Sequence, residues 1–156
     1  MKKLLLSTLI LFAVGIGHSF AQTVDEEIKL VQEAFGQDKK TLIESYMELS
    51  PEKAPAFWAV YDEFEVARKE ISKERILIIN DYIEKFTHIG DAEADALATR
   101  SLKNDAALNK LYSSYYSKFK KATSAIDAAK FLQVEFYITN TIRNVIQQEL
   151  PFVGDI

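Results

Sequence analysis

Residues 50–86 carry the feature that most restricts how this chain can fold. Apolar residues recur there at steps of three, four or seven, which is the spacing of one face of an α-helix. They are Phe57, Tyr61, Phe64, Ile71, Ile78, Tyr82 and Phe86. About 37 helical residues at about 1.5 Å each would span roughly 55 Å. Because a helix of that length exceeds a compact globule of this size, we predict an elongated helical hairpin or bundle with long faces open to a partner.

Three further helices are predicted from the remaining apolar periodicity. Their expected ranges are about 24–47, 92–121 and 127–149. Thr23 and Ser50 are predicted N-caps, Gly36 weakens the middle of the first helix, and Gly90 is a predicted left-handed cap. The short link at 88–91 makes the second and third helices antiparallel neighbours. No segment alternates as a strand does, so the predicted fold class is all-α.

The first 21 residues have the pattern of a secretory signal peptide. A basic start is followed by an apolar stretch from Leu4 to Ile16 and by the cleavage signal Ser19-Phe20-Ala21. We therefore predict an exported, periplasmic protein with one helical domain at 22–156. Cleavage of this leader would remove Lys2 and Lys3. The mature chain would then have 17 of the 19 basic residues and all 23 acidic ones, which gives a formal net charge of −6.

This acidic balance bears on the partners of the mature domain. It argues against nucleic acid, whose phosphates demand a basic face. It also predicts that any protein partner is basic or apolar, and that salt weakens binding to the basic ones. With no cysteine, the domain has no disulfide, so its stability comes from packing.

Two similar five-residue segments stand where the second and fourth helices are expected to begin. Leu49-Ser50-Pro51-Glu52-Lys53 and Ile126-Asp127-Ala128-Ala129-Lys130 each have an aliphatic residue, a capping residue, two spacers and a lysine. Their residues Leu49, Ser50, Lys53, Ile126, Asp127 and Lys130 form the predicted motif. The aliphatic residue is expected to act as a hydrophobic staple, and Ser50 and Asp127 as caps.

On this motif, the chain resembles the LTxxQ-motif family of periplasmic helical proteins that includes Spy and CpxP. The resemblance covers nearly all of the mature chain in architecture, and in residues it is strongest over 49–65. It implies a cradle-shaped homodimer that binds unfolded or partner proteins under envelope stress, as an ATP-independent chaperone. The alternative that it implies is an adaptor or metal sensor that regulates a sensor kinase or an extracytoplasmic sigma factor system. Spy-like chaperones are expected to have a basic concave surface, and here the mature chain is acidic.

A group of tyrosines is the candidate protein-binding surface. Tyr112, Tyr115 and Tyr116 fall near Phe64 when the second and third helices are folded about residue 89. Adjacent helical residues cannot both point inward, so at least one of Tyr115 and Tyr116 is expected to face outward. Tyrosine suits both a core and an exposed interface, and both alternatives remain open at this point.

Catalytic and metal-binding residues are sparse in the mature chain. It contains one histidine, His88, and no cysteine, which argues against a nucleophilic triad. His88 near Asp91 and Glu93 is the candidate for metal contact, and a histidine at a helix end is the simpler interpretation. We predict no enzyme activity, no cofactor and no metal site.

Overall fold

The structure, a computed structural model, describes residues 24–154, and the side chains at 24–31, 33 and 34 are excluded from this description. It contains four α-helices: α1 (Val24–Met47), α2 (Ala54–Lys85), α3 (Asp91–Ala122) and α4 (Ala125–Glu149). A short 3₁₀ helix, Phe86–His88, follows α2. Residues 24–154 include no strand, so the all-α prediction is confirmed. The predicted leader, residues 1–21, and the predicted cap Thr23 lie outside the described residues.

The start of α2 differs from its prediction. Ser50 does not cap the helix with its side chain, and α2 begins at Ala54 after a turn. The Ser50 carbonyl accepts hydrogen bonds from the amides of Lys53 and Ala54, both at 3.0 Å. Because Pro55 has no amide hydrogen, the helical hydrogen-bond ladder cannot run unbroken from Ser50, and regular helix starts later than the apolar pattern suggests.

The expected left-handed cap at Gly90 is also wrong. Gly90 has an extended backbone, with φ −94° and ψ 173°, and it is the N-cap of α3. Its carbonyl accepts the amide of Ala94 at 2.9 Å. The left-handed residue is instead Glu48, with φ 46°, directly after α1. Residues other than glycine are disfavoured in that conformation, so the α1–α2 connection carries some backbone strain.

The core is an aromatic cluster contributed mainly by α2, α3 and α4. Phe131 lies at its centre, with ring centroids 4.2 Å from Phe119, 5.4 Å from Phe64 and 5.5 Å from Phe57. Ile43 and Met47 of α1 close the cluster from the fourth side. Aromatic pairs at these separations stabilise beyond the area that they bury. This cluster therefore fixes the four helices around one end of the bundle.

Polar contacts connect α2 to α3 along much of their length. The Tyr115 hydroxyl donates to the Glu63 carbonyl at 3.2 Å, and the buried Asn104 amide donates to the Ile71 carbonyl at 2.8 Å. Arg100 binds Glu74 at 3.0 Å. Residue numbers therefore rise along α2 while they fall along α3. The predicted contact between Tyr115 and Phe64 is confirmed by ring centroids 5.5 Å apart. None of the described helices is long and apolar enough to cross a membrane.

Candidate functional site

The structure brings the two predicted motif segments into contact. Lys53 Nζ donates to Asp127 Oδ2 at 2.8 Å across 74 residues of sequence. Lys130 Nζ donates to the Met47 carbonyl at 3.3 Å and lies 4.0 Å from a Glu48 carboxylate oxygen. We call these contacts of Lys53, Asp127 and Lys130 the motif junction. The junction joins the starts of α2 and α4 to the end of α1, so the two motif lysines are interhelical ties.

The capping role predicted for Asp127 belongs to Ser124. Ser124 is the N-cap of α4, and its hydroxyl accepts the Asp127 amide at 3.1 Å while donating to Asp127 Oδ2 at 2.7 Å. Asp127 therefore occupies the third helical position, as the acidic residue of a capping box does, but its carboxylate accepts from the Ser124 hydroxyl. The Ser-x-x-Asp pattern at 124–127 was the sequence signal for it. Ile126 cannot act as a staple, since 81% of its surface is exposed, whereas Leu49 packs against the core.

Electrostatics at the motif junction favour the ionised form of Asp127. The Lys53 hydrogen bond, followed by that of the Ser124 hydroxyl, holds the pKa of Asp127 below its usual value. The carboxylate also lies in the first turn of α4, where the helix dipole favours a negative charge. These contacts give the junction a structural role at the meeting point of three helices.

A buried charge cluster lies beside the aromatic core. Lys39 of α1 is 2% exposed and Glu135 of α4 is 0% exposed. Lys39 Nζ lies 2.7 Å from Glu65 Oε1 and 2.8 Å from the Glu135 carboxylate. Arg68 binds the Glu65 carboxylate through two hydrogen bonds of 2.9 and 3.0 Å. Two cations and two anions from three helices therefore neutralise one another inside the fold.

The apolar periodicity of the sequence did not reveal this cluster, in which Glu65 is buried against Lys39 and Arg68. The sequence positions of the two glutamates were the available signal for their burial. Glu65 follows Phe64 and lies four residues after Tyr61, and Glu135 lies four residues after Phe131. A carboxylate that interrupts an apolar stripe is buried with a partner far more often than without one.

Titration behaviour reflects the burial of this cluster. Burial acts to raise the pKa of Glu65, but the Lys39 charge and the Arg68 hydrogen bond outweigh it and hold that pKa below the usual value. Burial also raises the pKa of the Tyr61 phenol well above its usual value, and the charges of Glu65 and Glu135 add to the effect. In the described part of the chain, the Tyr61 hydroxyl has no hydrogen-bond partner. Tyr61 is therefore a neutral neighbour of the charges.

The three candidate tyrosines have different environments. Tyr112 is only 6% exposed, and its hydroxyl lies 3.2 Å from Thr139 Oγ1. Tyr112 is therefore a core residue, and the alternative that it belongs to an exposed interface is wrong. Burial raises its pKa to about 12. Tyr115 and Tyr116 are half-buried, and Lys118 Nζ lies 4.4 Å from the Tyr115 ring centroid.

A groove between α3 and α4 offers an open surface next to these tyrosines. It consists of two clefts of about 160 and 470 Å³, both lined by Asn109, Tyr112 and Phe136. Tyr116 and Leu132 line the larger cleft, and the narrower one ends at Asp105 and Arg143. We call this the α3–α4 groove. The ring centroids of Phe136 and Tyr112 lie 5.0 Å apart, and Phe136 is the more exposed of the two. The groove is therefore lined by both aromatic and polar side chains.

Metal ligands do not converge anywhere in the described residues, where no group of three or more histidine, cysteine, aspartate or glutamate side chains could hold an ion. His88 is exposed, and its Nδ1 lies 2.6 Å from the Thr87 hydroxyl. Comparison of the chain with family models, curated proteins and solved structures finds no match. The case for a function therefore depends on the α3–α4 groove and on the resemblance described above.

Proposed function

We propose that the mature chain is an exported protein that binds unfolding or partner proteins in the cell envelope, as an ATP-independent holding chaperone. In this proposal, residues 1–21 direct export and are removed. The long helices α2 and α3 form an extended hairpin, and two copies associate into a cradle-like homodimer. The resemblance to the Spy and CpxP family supplies this framework.

The α3–α4 groove is the observation that best supports protein binding. It exposes the ring of Phe136, which is 42% exposed and packs on the buried Tyr112, and the polar side chains of Asn109 and Asn140 also line it. Tyr137, which follows Phe136 on α4, is 60% exposed. Large apolar side chains that remain accessible beside one another commonly mark protein-binding surfaces. An open, shallow groove of this kind suits segments of varied sequence better than it suits one small molecule.

Light scattering of an unfolding client tests the proposal. Heat-unfolded citrate synthase is the client, with the purified mature protein present at up to tenfold molar excess and low salt. We expect slower aggregation that depends on dose and needs no nucleotide, with an equal mass of serum albumin as the control. If aggregation proceeds at the control rate, the chaperone proposal is wrong, and an adaptor that restrains a membrane-bound regulator becomes the better hypothesis.

The homodimer is tested separately by sedimentation equilibrium of the mature protein. We expect a dimer at micromolar concentration. A monomer at one hundred times that concentration would refute the dimer without affecting the chaperone assay.

A further inference from the structure

The aromatic core joins α2, α3 and α4 through ring contacts in which α1 has no share. Phe131 of α4 packs on Phe64 of α2 and on Phe119 of α3. Phe35 and Tyr46 are the aromatic residues of α1, and neither makes a ring-to-ring contact with another described residue. The three later helices therefore share a set of stabilising contacts that would remain if α1 moved away.

The described part of α1 is attached by two aliphatic residues and a buried lysine. Ile43 and Met47 pack against the core, and Lys39 lies one turn before Ile43 on the same face of the helix. The neighbouring Lys40 binds Asp62 in an exposed pair at 3.1 Å. The attachment of α1 to α2 and α4 therefore has a buried ammonium group in the face that carries its apolar contacts.

The carboxylates of α2 and α4 make the burial of this ammonium group possible. Lys39 Nζ lies 2.7 Å from Glu65 Oε1 and 2.8 Å from each carboxylate oxygen of Glu135. A buried lysine without an anionic partner is strongly disfavoured. The docked position of α1 therefore depends on these two glutamates keeping their negative charges.

Acid changes the charge of the two carboxylates and of no other group in the cluster. Burial raises the pKa of both neighbouring tyrosines, so both are neutral in neutral and acidic solution. Protonation of the carboxylates would leave two cations facing each other in the interior. The groups concerned are Lys39 of α1, Tyr61, Glu65 and Arg68 of α2, Tyr112 of α3 and Glu135 of α4, with the exposed Lys40–Asp62 pair beside them.

The direction of the effect follows from the protonation of Glu65. Burial acts to raise the pKa of Glu65, but the Lys39 charge and the Arg68 hydrogen bond hold it below the usual value. Departure of α1 removes the Lys39 charge, so the pKa moves back toward about 4.3. The detached state therefore binds the proton more readily, and acid favours it by up to tenfold per pH unit for each proton taken up.

Helix α1 also covers aromatic side chains of α2. Lys39 Nζ lies 5.4 Å from the ring centroid of Phe64, and Lys40 Nζ lies 5.1 Å from that of Trp58 and 5.8 Å from that of Tyr61. These rings lose their cover when α1 departs. Detachment of α1 therefore exposes an apolar surface that the neutral-pH structure conceals.

We propose that the contacts of Lys39 with Glu65 and Glu135 form an acid-sensitive latch. When both carboxylates are protonated, α1 detaches, while α2, α3 and α4 stay packed around the aromatic core. Acid thereby uncovers the aromatic face of α2. This inference goes beyond the proposed function and does not depend on it.

Hydrogen exchange of the mature protein, measured by mass spectrometry, tests the latch. Protection factors are corrected for the intrinsic effect of pH. From about pH 7 to about pH 3.5, we expect the protection of residues 37–47 to fall at least tenfold, and that of residues 108–119 and 128–138 to fall less than threefold. Acrylamide quenching of Trp58, the sole tryptophan, should increase about twofold. Unchanged protection of 37–47, or an equal loss in all three segments, would overturn the inference.

Variants of the cluster give a pH signature that a purely packing role would not. In Lys39→Met, acid neutralises an unpaired buried charge on Glu135, so the protection of α1 should rise as the pH falls. Glu65→Gln combined with Glu135→Gln should make that protection independent of pH. Asp62→Asn, which breaks only the exposed pair with Lys40, is the matched control and should respond as the wild type does.

A wild-type pH response in Lys39→Met or in the double glutamine variant would also overturn the latch. Circular dichroism at neutral pH checks that each variant is folded. The double glutamine variant remains decisive should Lys39→Met fail to fold, and the wild-type exchange experiment needs no variant.

Discussion

Lys53 and Asp127 form a hydrogen-bonded ion pair of 2.8 Å although 74 residues separate them in sequence. Each belongs to one of the two motif segments, so the residues that resemble helix starts in the sequence bind each other in the fold. In a capping box, a glutamine in place of Lys53 would reach back to the backbone at the start of its own helix. Here the lysine reaches across to α4 instead.

This ion pair reverses the expectation for Lys53→Gln. A simple capping box would make the substitution neutral or slightly stabilising, since glutamine supplies an acceptor. The observed contact predicts a loss of about 0.5 kcal/mol in the free energy of unfolding, because the lysine is partly exposed and pairs of this kind contribute little. Urea unfolding measures it, with Lys85→Gln as an exposed control. A stabilised Lys53→Gln protein would favour the capping-box interpretation.

The two serines near helix starts should respond differently to alanine. Ser124→Ala removes the acceptor for the Asp127 amide and should lower the free energy of unfolding by about 1 kcal/mol. Ser50→Ala removes a side chain that makes no capping bond and should change it by less than about 0.5 kcal/mol. Chemical denaturation of both variants provides the comparison. Equal losses would mean that Ser50 caps α2 after all.

Lys39 should be the most sensitive lysine in the described part of the chain. Lys39→Met leaves Glu65 and Glu135 without their shared cation, and breaking a buried pair in this way costs about 3 to 5 kcal/mol. The neighbouring Lys40 binds Asp62 at 3.1 Å in an exposed pair, so Lys40→Met should cost less than about 1 kcal/mol. Thermal unfolding of the two variants tests the difference. A Lys39→Met protein as stable as wild type would show that the cluster contributes no net stability.

Acid should weaken the fold through Glu65, whose surrounding charges are Lys39 on α1, Arg68 on α2 and Glu135 on α4. Because the folded-state pKa of Glu65 is lowered, its contribution is complete above its unfolded-state pKa of about 4.3 and is lost as pH falls through the folded value. We expect the free energy of unfolding to fall as the pH drops below about 5. Glu65→Gln should flatten that part of the profile. An identical pH dependence in the variant would exclude Glu65 as a cause.

The hydroxyls of Tyr61 and Tyr112 offer a matched pair of deletions. Tyr61→Phe removes a buried hydroxyl that no described residue binds, and it should stabilise the protein by about 1 kcal/mol. Tyr112→Phe removes a hydroxyl that contacts Thr139 and should destabilise it by a similar amount, about 1 kcal/mol. Equilibrium unfolding in urea resolves the opposite signs. A loss of stability in Tyr61→Phe would reveal a hydrogen bond at that hydroxyl.

Helix positions could be predicted from the sequence because each helix carries a long apolar stripe ended by glycine, proline or a cap. Helix α4 begins two residues earlier than predicted because Ser124, and not Asp127, provides the cap. Helix α2 began late because Pro55 interrupts the hydrogen-bond ladder. Such errors at helix ends depend on one or two side chains, which periodicity does not resolve.

The candidate site was harder to predict than the helices. The sequence pointed to the region of Tyr112, Tyr115 and Tyr116, but the apolar period alone did not show that Tyr112 faces the core. Pairing Lys39 with Glu135 requires contact between two residues that are 96 positions apart in the sequence, one on α1 and one on α4. Periodicity indicates which face of a helix is buried, but it does not indicate which distant residue meets that face.

The buried charge cluster also sets the position of α1 along its own axis. If α1 slipped by one helical turn, about 5.4 Å, then Phe35, Gly36, Leu42 or Ile43 would replace Lys39 beside Glu65 and Glu135. None of those residues carries a charge, so Glu135 would be left unpaired in an apolar interior and Glu65 would keep only Arg68. An apolar stripe alone would tolerate such a slip, since one aliphatic residue can take the place of another. Lys39 therefore fixes the axial register of α1, so that α1 packs against α2 and α4 in one position.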